Sequence, residues 1–149
     1  MDAMDWALLR ELQADARLSY SELSRRVHLS PPAVAERVRR LEETGVVTGY
    51  HAHVDLAKAG RNVVAQIRMS CYGPNCVLRD DTVRDWPEVL EIHRVTGDTC
   101  CLIKVAAPSV EAFEAVIDRL AAHGTPSSTM ILSSPLPWQP IGPSPARAI

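Results

Sequence analysis

The 149-residue sequence predicts an α+β chain, with three short helices ahead of a βαββαβ unit. Two observations carry that reading. Apolar residues recur at helical spacing through the first 45 residues, each run preceded by a capping side chain. From Asn62 onward the pattern changes to strand-sized apolar runs, interrupted by two helical stretches and punctuated by glycine.

In the first helix Asp5 is the expected N-cap, and Leu8, Leu9 and Leu12 form one apolar stripe ending near Asp15–Ala16. The second opens on Ser19-x-x-Glu22, a capping box that satisfies two orphaned backbone donors, and puts Leu23 and Val27 one turn apart. The third has Ser30 as N-cap and Pro31 at the first helical position, where a missing N–H is harmless. Val34, Val38 and Leu41 line its inner face, and Gly45 suits the left-handed residue that stops it. Val46 to Val54 reads as two short strands about Gly49, a small β-wing. Only His28 and Leu29 separate the second and third helices, which makes the unit a winged helix-turn-helix.

In the second region, Asn62 to Cys71 reads as a strand and Pro74 to Asp85 as a helix facing inward through Val77, Leu78 and Val83. Val89 to Val95 is a strand, Thr96-Gly97-Asp98 a turn, and Cys100 to Ala107 another strand. Ser109 caps a helix striped by Phe113, Val116, Ile117 and Leu120 and ended by Gly124; Ser128 to Ser133 is the last strand. This order is the ferredoxin-like (ACT-like) arrangement, a four-stranded antiparallel sheet with helices on one face. The other face needs cover, and a second subunit is the usual source. The expected organisation is a winged helix-turn-helix over 1–54, a linker over 55–61, the βαββαβ domain over 62–134 and a tail over 135–149. Pro135, Pro137, Pro140, Pro143 and Pro145 make that tail extended and frayed toward Ile149, with Trp138 and Ile141 free to dock on a neighbouring surface.

Composition is that of a globular chain, 46% hydrophobic and 23% charged, which excludes disordered, collagen-like and coiled-coil classes. No run approaches the ~18–20 apolar residues of a membrane span. Asp2 and Asp5 stand where a signal peptide is basic, so a cytoplasmic protein is expected. Cys71, Cys76, Cys100 and Cys101 are too few and too uneven for a disulfide scaffold, and Cys71-x4-Cys76 lacks zinc-ribbon spacing. They are expected to be reduced and structural, with no metal site, and adjacent Cys100 and Cys101 in a strand would face opposite ways. His51 and His53 read as exposed polar residues of the wing. No nucleotide loop, nucleophile–base order or carboxylate pair is evident, so no catalytic residue and no cofactor is assigned.

Taken whole, the net charge of −2 disfavours a nucleic-acid partner, but its distribution does not. From Arg25 to Arg40 there are five arginines and one acid, Glu36, for a local charge of +4. With Val34, Val38 and Leu41 inward, the third helix turns Pro32, Glu36, Arg39 and Arg40 outward, with Ala33 and Arg37 on its shoulders. Arginine neutralises phosphate and reads guanine, a carboxylate can accept from cytosine, and small residues permit close approach to a duplex. Ser30, Pro32, Ala33, Glu36, Arg37, Arg39 and Arg40 are therefore the candidate contacts to double-stranded DNA.

These residues carry a resemblance. Asp5-x-x-Leu8-Leu9-x-x-Leu12, then ARLSYSELSRRVHLSPPAVAERVRRLEETGVVTGY from Ala16 to Tyr50 and PEVLEIHRVTGDTCCLIKV from Pro87 to Val105, resemble the Lrp/AsnC family of leucine/asparagine-responsive regulators. The resemblance runs to about Pro137. It implies a DNA-binding, nucleoid-associated transcriptional regulator that dimerises through its second domain and assembles further to tetramers or octamers. It also implies an amino-acid effector held between subunits, near Thr96, Gly97, Asp98, Thr99 and Cys100 and near Ser128 and Thr129. The chain departs from the family where a Gly-Asp-Tyr-Asp-Tyr pattern is replaced by Gly97-Asp98-Thr99-Cys100-Cys101, so that Cys100 stands for an acid. Losing that carboxylate removes a charge-assisted bond to an ammonium group worth roughly 1.5–3 kcal/mol. The glycine usual between the helices is His28, and that after the first helix is Ala16. Two other readings follow from the same residues: an architectural oligomer that wraps DNA without sensing a ligand, and a small-molecule-binding βαββαβ protein without DNA function.

Overall fold

The computed structural model describes residues 1–144, so the expectations for Pro145 and for fraying near Ile149 lie outside the described residues. It divides into two compact units, one built from Met1–His53 together with the chain from Leu136, the other from Val54–Pro135.

The first unit holds α1 (Ala3–Ala14), α2 (Tyr20–Val27) and α3 (Pro31–Glu43) around a core of Leu8, Leu12, Leu23, Val27, Val34 and Val38. Two caps follow the sequence closely. Ser19 and Glu22 bond each other's backbone N–H, and the Ser30 side chain accepts from Ala33 N–H with prolines at the first two helical positions. Between α2 and α3, His28 takes the left-handed conformation at φ 55° and ψ 41°, which lets so short a connection turn. The N-cap of α1 is Asp2, not Asp5. Asp2 accepts from Met4 N–H and Asp5 N–H, and the Asp5 side chain reaches back to Asp2 N–H. The capping box therefore starts one turn earlier than the leucine stripe indicates.

The wing is not a pair of strands. Val46 and Val47 donate their N–H groups to the Leu41 carbonyl at 2.9 and 3.0 Å, closing the end of α3 behind Gly45 at φ 71°. A short two-stranded ribbon is marginal alone, and these donors already have a helical partner. The tail returns to this unit: Gln13 and Ile141 exchange two hydrogen bonds, and the Trp138 ring lies 4.9 Å from that of His53.

The second unit is a four-stranded antiparallel sheet of β1 (Val63–Ser70), β2 (Val89–Arg94), β3 (Cys101–Ala107) and β4 (Thr125–Met130), in the order β2-β3-β1-β4. One face, through Ala65, Ile67, Met69, Ile103 and Val105, packs on Phe113, Val116 and Leu120 of α4 (Val110–Ala121). The other face carries Gln66, Arg68, Leu102 and Lys104. Asp55–Arg61, expected as a linker, folds into this unit as a turn, with the Asp55 side chain accepting from Lys58 N–H and Arg61 bonding the Ala106 carbonyl.

Two expectations shift here. The helix expected over Pro74–Asp85 is a pair of 3-10 turns, Val77–Arg79 and Asp81–Asp85. Asp80 between them is extended, and its side chain accepts from Thr82 N–H, the local competition that stops a helix. The last strand also starts three residues earlier than the expected Ser128. At Gly124 an added Cβ would sit 2.5 Å from the Ser70 carbonyl and 2.6 Å from Cys71 Cβ, and that close approach sets Thr125 opposite Ser70.

Candidate functional site

The outer face of α3 presents Ser30, Pro32, Glu36, Arg39 and Arg40 exposed, with Ala33 half-buried. The charge arithmetic changes once side chains are placed. Arg37 Nη1 lies 2.8 Å from Asp2 and 2.7 Å from Asp5, and Arg40 Nη2 lies 2.9 Å from the same Asp5 carboxylate. Asp5 is only 1% exposed, so it is a buried anion joining the start of α1 to the middle of α3. Burial alone would push its carboxyl up; the Asp2 N–H, Arg37 and Arg40 outweigh that and hold it below the ordinary value. Asp2 is held down to about 2 by the Asp5 N–H and by Arg37. Arg39 pairs along the helix with Glu36 at 2.6 Å and Glu43 at 3.0 Å, and Arg26 with Glu11 at 3.1 Å. Among the described residues Arg25 alone of the five makes no ion pair.

Arg37 is thus the exception among the seven candidates. Its side chain is 28% exposed and turned to the carboxylates of α1, so it positions the helix and does not belong to the outer face. Arg40 shares Asp5 yet keeps 54% of its side chain exposed. What sequence reasoning missed was Asp2 and Asp5 as the counter-charge; the signal was their three-residue spacing, which places both carboxylates at one helix end.

The effector candidates are only partly brought together. The Thr96–Thr99 turn is fastened to the end of β1: Ser70 Oγ and Tyr72 Oη donate to the Asp98 carbonyl, and Cys100 N–H donates to the Met69 carbonyl at 2.8 Å. A cleft of about 410 Å³ opens there, lined by Gly97, Thr99 and Cys100 together with Tyr72, Arg79 and Arg94. Ser128 and Thr129 do not line it. They sit on β4 opposite Ile67 and Gln66, on the far side of β1 from the turn.

Sulfur dominates the floor of the cleft. Cys71 follows β1, Cys76 precedes the first 3-10 turn and Cys100 precedes β3. Cys71 and Cys76 are paired as a disulfide, which corrects the expectation of four reduced thiols. Cys100 Sγ lies 2.7 Å from Cys71 Sγ and 3.9 Å from Cys76 Sγ. Because Cys100 falls before the strand begins, the alternation expected of it and Cys101 does not apply, and their sulfurs are 3.8 Å apart. Burial and the bond to Cys100 push the Cys101 thiol up to about 12, leaving it an inert part of the core.

Comparison with known proteins agrees with both halves of this geometry. Residues 1–42 match the AsnC-type helix-turn-helix domain and residues 79–137 the Lrp/AsnC ligand binding domain. The chain is 40% identical over 134 residues to the uncharacterised HTH-type transcriptional regulator YezC of Bacillus subtilis, covering 90% of this chain and 95% of that one. The solved structure of B. subtilis LrpC superposes with a TM-score of 0.87 at 30% identity, over 93% of this chain and 99% of that one. A feast or famine regulatory protein from M. tuberculosis, complexed with L-methionine, superposes with a TM-score of 0.85 at 32% identity, over 95% and 99% of the two chains.

Proposed function

The chain belongs to the Lrp/AsnC family of transcriptional regulators, a DNA-binding helix-turn-helix followed by a ligand-binding domain, and from that premise we propose how it uses each part. It acts by binding, not catalysis, in the cytoplasm on the nucleoid. The α3 helix enters the major groove, with Ser30, Pro32, Ala33 and Glu36 nearest the bases and Arg39 and Arg40 toward phosphates. Arg37, with Asp5, sets the angle at which α3 is offered. The observation that carries this reading is the Asp2–Asp5–Arg37–Arg40 cluster, which fixes α3 against α1 while leaving its outer face uncovered.

A second copy of the chain covers the open sheet face, and dimers assemble further to tetramers or octamers. Two linked modules then bind a two-fold-related operator with an effective concentration that one short module lacks. A small-molecule effector enters the cleft at Gly97, Thr99 and Cys100, with Ser128 and Thr129 supplied by the neighbouring copy; Thr96 and Asp98 help form the turn without lining the cleft. The methionine in the M. tuberculosis relative supports an effector in this domain. Here, however, Cys100 offers no carboxylate to an ammonium group.

The test is selection of duplexes from a random pool by the full chain, followed by anisotropy on the selected sequence. Arg39→Ala should weaken binding several-fold and Glu36→Ala should relax base preference. Enrichment of no sequence, with equal affinity for every duplex, would support the architectural reading instead; absence of DNA affinity at low salt would overturn both.

A further inference from the structure

We propose that Cys71, Cys76 and Cys100, when reduced, form a three-thiolate site for a soft, thiophilic metal ion at the floor of the cleft. The sulfurs of these three residues all lie within 4.8 Å of one another. A metal–sulfur bond of ~2.3 Å places the sulfurs of a trigonal site ~4 Å apart. The Cys76–Cys100 separation of 3.9 Å already has that length. Both shorter edges meet at Cys71, so rotating that one side chain away from its neighbours opens them together.

The backbone supports such a site. Cys100 is held by its N–H bond to Met69, and Cys71 by the close approach of Gly124. Cys76 sits beyond Gly73, at φ 83°, on a loop that can adjust as the ion seats. Cys71 and Cys76 are 4% and 7% exposed, while half-buried Cys100 opens to the cleft and gives a way in. Arg79 and Arg94 line the same cleft. Guanidinium groups offset the negative charge that three thiolates leave on a divalent ion. Among the described residues the cluster contains no carboxylate or imidazole. An all-sulfur ligand set selects soft ions against magnesium, calcium and manganese.

Loading requires the reduced state. A dithiol reductant breaks the Cys71–Cys76 bond, delivering two electrons and two protons and leaving as its own cyclic disulfide, as thiol–disulfide exchange requires. Ion binding then forms three metal–sulfur bonds and releases the thiol protons to solvent. Ion binding at the floor of the cleft is further taken to alter DNA affinity, a consequence that rests on the reading of the cleft as the sensing site; ion binding itself stands on the sulfurs alone.

The experiment uses the full reduced chain under anaerobic conditions, titrated with cadmium and followed by thiolate-to-metal charge-transfer absorption. Protection from an aromatic disulfide reagent counts the engaged thiols. Saturation at one cadmium per chain is expected, with three thiols that react in the ion-free reduced chain becoming protected and buried Cys101 unreactive in both states. Cys100→Ser should weaken binding at least tenfold, and Cys101→Ala should leave it unchanged. Wild-type stoichiometry needs no variant to fold, so two protected thiols, or absence of the absorption, overturns the site directly. Loss of binding in Cys101→Ala, with its melting curve intact, overturns the ligand set. DNA affinity is measured in parallel with and without cadmium. Binding of the ion with unaltered DNA affinity overturns the sensing role but sustains the site; no ion binding with DNA binding intact overturns the site and spares the proposed function.

Discussion

Replacing Asp5 by alanine should unlock α3 from α1. The carboxylate is 1% exposed, accepts the Asp2 N–H at 2.9 Å and takes bonds of 2.7 to 3.0 Å from two guanidiniums. A buried acceptor of charged donors is worth ~1.5–3 kcal/mol, and half of a capping box adds ~0.5–1 kcal/mol. Arg40 is largely in water and regains solvation when its partner goes, so the expected cost is about 2–4 kcal/mol. For a unit of this size that lowers its Tm by about 15–30 °C. Urea unfolding followed by helical circular dichroism measures the loss. The double variant Asp5→Ala/Arg37→Ala should fall well short of the sum of the two single effects, because each side chain loses its value once the other is gone. A change in Asp5→Ala below about 0.5 kcal/mol, or strict additivity of the pair, would refute the cluster as the lock on α3.

The same cluster sets an acid limit. Asp2 and Asp5 both have depressed carboxyl values in the folded chain, so the stability they contribute is present above the ordinary value of 3.8. It is lost as the pH falls toward the folded value, about 2 for Asp2. Unfolding midpoints of the N-terminal unit should drop through that window, and Asp5→Asn should flatten the drop.

Five other variants test three separate joints. Removing the Glu36 carboxylate (Glu36→Gln) should free Arg39 for phosphate and raise affinity for non-specific duplex, whereas Arg39→Ala should lower it and, because Arg39 is already paired, reduce the slope of log affinity against log salt by less than the ~0.9 of a free cation; anisotropy across a salt series reads both. His28→Gly should stabilise the first unit by up to ~1 kcal/mol, since glycine takes φ 55° without strain, while His28→Val should destabilise it by ~1–2 kcal/mol in urea melts. Gly124→Ala should cost the second unit about 1–3 kcal/mol, because its Cβ would meet the Ser70 carbonyl at 2.5 Å; unchanged stability would mean that the α4–β4 joint gives way freely.

Local signals account for most of what the sequence disclosed. Ser19, Ser30 and Pro31 act on their own neighbours within one turn, so the caps of α2 and α3 were legible residue by residue. The central strands Val63–Ser70 and Cys101–Ala107 were legible as apolar β-rich runs, the first with one face buried and the second buried throughout its last three residues. What failed depended on partners distant in sequence. The wing needed to know that Leu41 would take the Val46 and Val47 donors. The start of β4 needed the contact of Gly124 with Ser70, and the role of Arg37 needed Asp2, 35 positions away. The cysteines were misread for the same reason: a spacing of five says little until β1 and β3 bring Cys100 beside the pair.

The paired state of the α3 arginines bears on how the regulator achieves affinity. A helix whose cations are already matched by Glu36, Glu43 and Asp5 gains from a phosphate only the difference between two ion pairs. For exposed pairs such as that of Arg39 and Glu43 this difference is small, since each is worth at most ~1 kcal/mol. A single module of this kind therefore holds non-specific DNA weakly, and few counterions are released net of those its own acids already replace. The proposed function then assigns discrimination to base-edge contacts from the small residues at the start of α3, and strength to two modules presented at once. On the proposed reading, the self-neutralised helix and a second domain that pairs copies of the chain are complementary: the first suppresses indiscriminate binding, and the second restores affinity where two half-sites are correctly spaced.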